Sequence, residues 1–350
     1  MPSDDLRKKY KDLLDTIKLY PKQFKQAWYE VQAIDFPDDY KDILNIVVFG
    51  MGGSALGARI ADSLIADRLL VPLEIFTGFE VPKYAYKRTL CVASSYSGNT
   101  EETINATLNV IDRQCKVFGI TTGGELGRLL NEKDIPRYII DPKYNPSKQP
   151  RNALGYAFGG FISMLSKLNI VDITNNEVNN SLAEFENIIS NTQSDSEIKE
   201  KIKLVSHNLT NKIPVLVASE HLLGAAYAIK NQLNESSKTF SVLFDLPELN
   251  HHLMEGLVHP TELGGILHFI FIESDLYHDR VVKRYPITED VVDKNNIAYS
   301  TYKIQSTTKL SQVFELLAFG SLTALTTSEN LGVDPSIIPW VDYFKEKISV

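Results

Sequence analysis

The sequence predicts an α/β protein of two halves, each with helices packed on both faces of a mostly parallel sheet. Two observations predict it. In the first half, apolar runs of strand length at 45–49, 73–76, 89–94, 115–120 and 136–140 alternate with helical segments near 55–70, 100–112 and 124–131. Strands separated by helices at this pitch pair in parallel. After residue 211 the theme returns, with strands at 213–218, 239–244, 265–273 and 297–304. Leu56-Gly57-Ala58 and Leu223-Gly224-Ala225 each follow the first strand of a half, a short match suggestive of duplication.

Composition sets the outer bounds. With 350 residues the chain has room for two domains and a sizeable core. Its 36 Lys and Arg against 44 Asp and Glu give a net charge of −8, which argues against nucleic acid or an anionic membrane as partner. Residues 1–36 carry no apolar core of signal-peptide length, and no run of about 18 apolar residues occurs, so a cytoplasmic protein is expected. Cys91 and Cys115 fall in predicted strands and read as buried free thiols in a reducing compartment, not as a disulfide or metal site. The histidines show no HxxxH or HxH spacing, so no metal is expected.

Taken in order, residues 4–32 read as one or two amphipathic helices, with Leu6, Tyr10, Leu13, Leu14 and Ile17 at helical spacing. The strand at 45–49 runs into Gly50-Met51-Gly52-Gly53-Ser54 and then a helix, an order that cradles phosphate because glycine lets backbone amides approach the anion. A dinucleotide site is disfavoured, since the G-x-G-x-x-G fingerprint needs glycine at 50, 52 and 55 and position 55 is Ala. Thr89 to Ile104 repeats the design. A buried-type strand ends in Ser95, Ser97 and Thr100, and a helix starts at Asn99 or Thr100, with Glu101 and Glu102 in its first turn and Glu102 placed to close a capping box. Hydroxyls and N-terminal amides converge there as an anion receptor. Both turns lie beyond the carboxyl ends of their strands, where open parallel sheets bind ligands.

Residues 141–150, with three prolines, are a loop, and Arg151 opens a helix whose small residues Ala153, Gly155, Ala157, Gly159 and Gly160 suit close helix packing. Asp172 to Asn211 is polar and reads as solvated helices bridging the halves. The predicted division is a helical arm at 1–40, a phosphate-binding unit at 41–170, a helical linker at 171–210 and a second unit at 211–350, which ends in a long helix from Thr308 and a short closing one.

In the second half, acid–base residues stand where the first has hydroxyls. Glu235 ends an apolar helix, and a glutamate suits removal of a proton from a carbon next to a carbonyl, although a solvated helix end has the same pattern. His251 and His252 follow the next strand in a loop, where an imidazole can shuttle a proton, while His268 alternates within an apolar strand as a core residue. Lys309 opposes the macrodipole in the first turn of the last long helix, which points to a duty toward a ligand. Arg151 fits either a hold on a substrate oxygen or a structural ion pair.

GMGGSALGA at 50–58, SSYSGNTEET at 94–103, QPRNALGYAFG at 149–159, NQLNESSK at 231–238, ELNHH at 248–252 and the Lys309 helix running into GVDPSIIPWVDYFK span nearly the whole chain. In that order they resemble the sugar isomerase (SIS) domain proteins, and among these the bifunctional phosphoglucose/phosphomannose isomerases. The resemblance implies two flavodoxin-like αβα SIS subdomains in a homodimer. It also implies reversible conversion of glucose 6-phosphate, with mannose 6-phosphate as a second candidate, to fructose 6-phosphate through an enediol, without cofactor or metal. By the same resemblance Gly52, Gly53, Ser54, Ser95, Ser97 and Thr100 hold the phosphate, Glu235 moves the proton between C1 and C2, and Arg151 stabilises the enediolate. His251 assists ring opening from the partner chain, and Lys309 acts on the opposite side of the sugar. His252 stands where the family often has Asn and is the alternative to His251. Two other readings are a phosphosugar-binding regulator without catalysis and an aminosugar-phosphate isomerase, the latter without the glutaminase domain attached to such enzymes.

Overall fold

The structure, a computed structural model, describes residues 4–192 and 196–348; residues 193–195 of the expected linker lie outside the described residues. Runs of β-branched and aromatic residues form the strands β1 (Asn45–Phe49), β2 (Leu73–Phe76), β3 (Thr89–Ser94), β4 (Lys116–Thr121) and β5 (Arg137–Ile139). All pair in parallel, in the order β2-β1-β3-β4-β5. Every residue of β3 is buried, as a central parallel strand covered on both faces requires. The helices up to this sheet's end are α1 (Asp4–Lys18), α2 (Tyr20–Gln32), α3 (Gly53–Ile65), α4 (Glu101–Asp112) and α5 (Gly124–Glu132), and α6 (Leu154–Lys167) follows.

A second parallel sheet contains β6 (Ile213–Ala218), β7 (Val242–Asp245), β8 (Leu267–Glu273) and β9 (Ala298–Lys303) in the order β7-β6-β8-β9. The winding is that of the first sheet without its fifth strand. The two Leu-Gly-Ala triplets sit on equivalent helices, α3 after β1 and α9 (Leu223–Glu235) after β6. Around this sheet are α7 (Asn175–Asn191), α8 (Glu197–Asn208), three single-turn helices α10 (Leu253–Gly256), α11 (Leu263–Ile266) and α12 (Asp279–Val282), and α13 (Tyr285–Lys294), α14 (Lys309–Leu331) and α15 (Pro339–Ile348).

The chain divides into two compact units, Lys18–Ala183 and Met1–Ile17 with Glu184–Val350. The 1–40 arm is thus split. In α1, the Tyr10 hydroxyl donates to the carbonyls of Ser328 and Val333, at 3.1 and 2.8 Å, and Lys9 pairs with Asp334 at 2.7 Å. By contrast α2 packs on α6, where a Cβ on Gly155 would lie 2.6 Å from the Tyr20 carbonyl, so the small residues of α6 serve a helix contact inside the first unit. Residues 172–211 are not a solvated bridge. Val178, Leu182, Phe185, Ile189, Ile202 and Val205 are buried, and Phe185 stacks on Phe314 with ring centroids 4.5 Å apart. Their apolar residues fall on one face of each helix, which mean polarity conceals.

Smaller departures follow local physics. The helix expected at 55–70 begins two residues earlier, at Gly53, and stops at Ile65. Arg151 precedes α6, in a 3₁₀ turn at Pro150–Asn152 that the proline starts. Cys91 is a buried free thiol in β3, but Cys115 lies one residue before β4 and is half-buried. Among the described residues, no helix is long and apolar enough to cross a membrane.

His268 is the core residue its pattern predicts. It is 3% exposed in β8, and its Nε2 lies 2.8 Å from the Ser300 hydroxyl. Burial, helped by Lys212, lowers its pKa from 6.5 to about 4. The folded value lies below the unfolded one, so this site's stabilising contribution is complete above pH 6.5 and is lost as the pH falls toward 4. Near pH 5 the loss amounts to about 2 kcal/mol. His268→Gln keeps a partner for Ser300 but cannot titrate. We expect the drop in urea-unfolding stability between about pH 7 and about pH 5 to be smaller in this variant than in the wild type by roughly that amount.

Candidate active site

Two strand-to-helix turns in the first unit carry the hydroxyls expected to form an anion cradle. After β3 the chain turns through Ser95 to Thr100 into α4. Gly98 makes this turn possible, with φ at +72° and a Cβ position that would lie 1.9 Å from the Gly123 carbonyl oxygen. Ser95 is fully buried, and its Oγ accepts the Gly98 amide at 3.1 Å and lies 2.9 Å from the Thr100 Oγ1. Either hydroxyl of the Ser95–Thr100 pair can be the donor, because Ser95, having accepted one amide, keeps its proton and a second acceptor lone pair. The Ser54 Oγ, at the start of α3, accepts the Tyr96 amide at 2.9 Å, and the Ser97 Oγ accepts the Asn99 amide at 3.3 Å. Each of these two hydroxyls has one acceptor site taken by an amide and has a proton of its own to donate. Thr100 is the N-cap of α4 but makes no side-chain cap, so the expected capping box does not form; its hydroxyl serves the cradle instead. The first-turn amides of α4 have no partners within the helix, and the dipole there favours an anion.

Arg151 belongs to the same unit. Gly53 packs against its backbone, where a Cβ would lie 3.2 Å from the Arg151 nitrogen, so any larger residue at 53 would push the two segments apart. The guanidinium is 2% exposed and donates to the Gln149 Oε1 at 3.0 Å. Sequence reasoning missed the supports of this arrangement. Asn145, buried in what reads as an ordinary proline loop, donates to the Tyr96 hydroxyl at 3.0 Å and to the Gln149 carbonyl at 3.1 Å. Burial holds the Tyr96 phenol above its usual pKa, so it remains a neutral hydroxyl. The signal available in sequence was the Asn-Pro pair at 145–146, which marks a turn and says nothing of its partner.

In the second unit, Glu235 is the last residue of α9 and is half-buried. The chain beyond it is held by Lys238, whose ammonium donates to the carbonyls of Glu235 and Ile337. His251 is exposed in a 3₁₀ turn at Glu248–His251, anchored by Asn250, which donates to the Thr288 hydroxyl at 2.8 Å. His252 is exposed too and lies 3.6 Å from Glu248. Lys309 is not brought to Glu235. Helices α9 and α14 run in the same direction, since His221 meets Gln312, Gln232 meets Ser321 and Ser237 meets Ala324. Glu235 is thus level with residues 321–324, and Lys309 lies about 20 Å away along the axis at 1.5 Å per residue. Among the described residues no group of three or more His, Cys, Asp or Glu could hold a metal ion.

Residues 198–348, which include Glu235 and His251, match the family described as the bacterial phospho-glucose isomerase C-terminal SIS domain. This half is an SIS domain. The resemblance does not stop at the SIS half. The chain is 28% identical to the bifunctional phosphoglucose/phosphomannose isomerase of Caldicellulosiruptor bescii, covering 96% of this chain and 99% of that protein. It is also 28% identical to the protein of the same name from Thermoplasma volcanium, over 87% of this chain and 91% of the relative. The crystal structure of tagatose-6-phosphate ketose/aldose isomerase from Escherichia coli matches with a TM-score of 0.72 at 15% identity, covering 97% of this chain and 98% of that one, which establishes a shared fold.

The cradle is tested with inorganic phosphate. A hydrogen bond to a charged group contributes about 1.5–3 kcal/mol, so Thr100→Val and Ser97→Ala should each weaken phosphate binding by roughly ten- to a hundredfold in calorimetric titration. Ser95→Ala should weaken it as well, because the Thr100 hydroxyl loses its partner, while the Gly98 amide keeps the Ser95 carbonyl at 3.1 Å. Unchanged phosphate affinity in all three variants would remove the anion from this turn.

Proposed function

We propose that the protein is an aldose–ketose isomerase that interconverts glucose 6-phosphate, and mannose 6-phosphate as a second substrate, with fructose 6-phosphate. The observation that carries this reading is the set of hydroxyls on Ser54, Ser97 and Thr100, gathered at the two strand-to-helix turns of a switch-point crevice. Phosphate is the anion such a neutral, multi-donor cradle suits, and similarity to the named isomerases over nearly the whole chain supplies the sugar and the reaction. Gly52 and Gly53 add backbone amides to the same cradle.

In the proposed chemistry, Glu235 removes the C2 proton of the open-chain aldose as the C1 carbonyl electrons move onto oxygen, giving an enediolate. The C2 hydroxyl proton passes to O1, and the same carboxyl returns the carbon-bound proton to C1 as the C2 oxygen's electrons form the ketone. Glucose and mannose 6-phosphates differ only at C2 and give one enediol after rotation about the C2–C3 bond. The Arg151 guanidinium meets the enediolate charge, a task for a preorganised cation. His251, offered by the second chain of a homodimer, opens the ring by moving a proton between the ring oxygen and the C1 hydroxyl. Lys309 has no part in this assignment, because it lies at the other end of the helix pair from the base.

Purified protein should convert both aldose phosphates to fructose 6-phosphate in a coupled assay, equally with and without EDTA. Glu235→Gln should lower kcat by about a thousandfold and leave phosphate affinity in place. Absence of turnover with either aldose phosphate defeats the proposal, and full turnover by Glu235→Gln would assign the base elsewhere.

A further inference from the structure

Beside the cradle lies a second cavity of about 460 Å³, set between Tyr96 and Thr122 on one side and Lys143, Asn145 and Lys148 on the other. Its walls are fixed. Asn145 is 3% exposed and donates to the Tyr96 hydroxyl, its own Oδ1 accepts from Ser147 at 2.8 Å, and the Thr122 hydroxyl donates to the Tyr96 carbonyl at 2.7 Å. Tyr96 is common to both places, because it also lines the small cavity at Gly53 and Ser54, and its amide is the one that Ser54 accepts. The rim carries two exposed ammonium groups, on Lys143 and Lys148. Among the described residues neither makes an ion pair. Lys143 lies 5.2 Å from the centre of the Tyr144 ring, and Lys22 approaches the same ring at 6.0 Å. Residues 141–151 hold one acid, Asp141, against Lys143, Lys148 and Arg151, a balance of +2 in a chain of net charge −8.

We propose that this cavity is an outer anion subsite, in which Lys143 and Lys148 draw the phosphate of the sugar phosphate toward the hydroxyl cradle. The choice of ligand rests on the function proposed above. A cradle of neutral hydroxyls gives a phosphate directed hydrogen bonds but no net charge to attract it. The acidic protein as a whole repels a dianion. Two ammonium groups without carboxylate partners, next to the cradle and on a loop pinned by a buried asparagine, reverse the sign of the potential where the ligand must enter. Because the groups are exposed, salt screens their effect over about 10 Å at 0.1 M.

The test compares the wild type with the double variants Lys143→Gln/Lys148→Gln and Lys143→Arg/Lys148→Arg, at about 25 mM and about 250 mM salt. At low salt the glutamine pair should raise the KM for glucose 6-phosphate and the dissociation constant for inorganic phosphate about tenfold. The loss should fall on KM and not on kcat, should shrink at high salt, and should be reversed by the arginine pair. Wild-type KM and phosphate affinity in the glutamine pair at low salt would overturn the subsite, as would an effect confined to kcat. If the wild type turns over no sugar phosphate, the functional proposal fails separately, and the phosphate titration still decides the subsite.

Discussion

In the first unit a short run of bonds joins the Gly98 amide to the Ser95 hydroxyl and that hydroxyl to Thr100, and it holds the turn after β3 in shape. A hydroxyl rotates freely and is equally ready to accept or donate. Here a buried amide takes one acceptor site of Ser95, and the same device recurs where the Tyr96 amide meets Ser54 and the Asn99 amide meets Ser97. In the proposed cradle, hydroxyls held in this way need little further ordering when a ligand binds. It depends in turn on Gly98, because only a residue without a Cβ passes the Gly123 carbonyl at that turn.

The second sheet repeats the winding of the first and yet holds no counterpart of the cradle. The ends of its central strands are filled by the protein itself. Ser219, after β6, contacts the hydroxyls of Tyr285 and Tyr277, and Gln312 accepts from Ser274 while meeting His221. Beyond β9, the amides of Gln305 and Ser306 are turned not toward solvent but toward the buried carboxylate of Glu315, which also accepts from the Tyr302 hydroxyl. A side-chain carboxyl thus occupies amides of the kind that the proposed cradle would offer to a phosphate.

The strands of both sheets and their parallel pairing were legible because period and spacing are local properties that the chain displays directly. So was the end of α9, since the apolar pattern stops at Glu235. Other parts depend on distant segments. Ser95 and Ser97 look alike in sequence, and only the packing beneath β3 makes the first buried and the second exposed. The polar stretch 172–211 hides an apolar face that becomes visible only when α8 and α14 come together. Lys309 drew attention through its clash with the helix dipole, an effect confined to one turn. Its distance from Glu235 is set by how α9 and α14 align, which the local sequence does not encode.

Asn145 shows why a site's supports are harder to read than its donors. Its side chain carries no charge to hold an anion, yet it clamps Tyr96 on one side and the residue before Pro150 on the other. Gln149 then holds the Arg151 guanidinium. The loop therefore links the turn that orients the cradle to the cation that stands behind it. A fully buried amide with both ends engaged has no second arrangement of comparable energy. The phosphate turn and Arg151 are in this way kept in one fixed relation within the first unit, which is what a cradle of neutral hydroxyls needs if a nearby cation is to act on the ligand it holds.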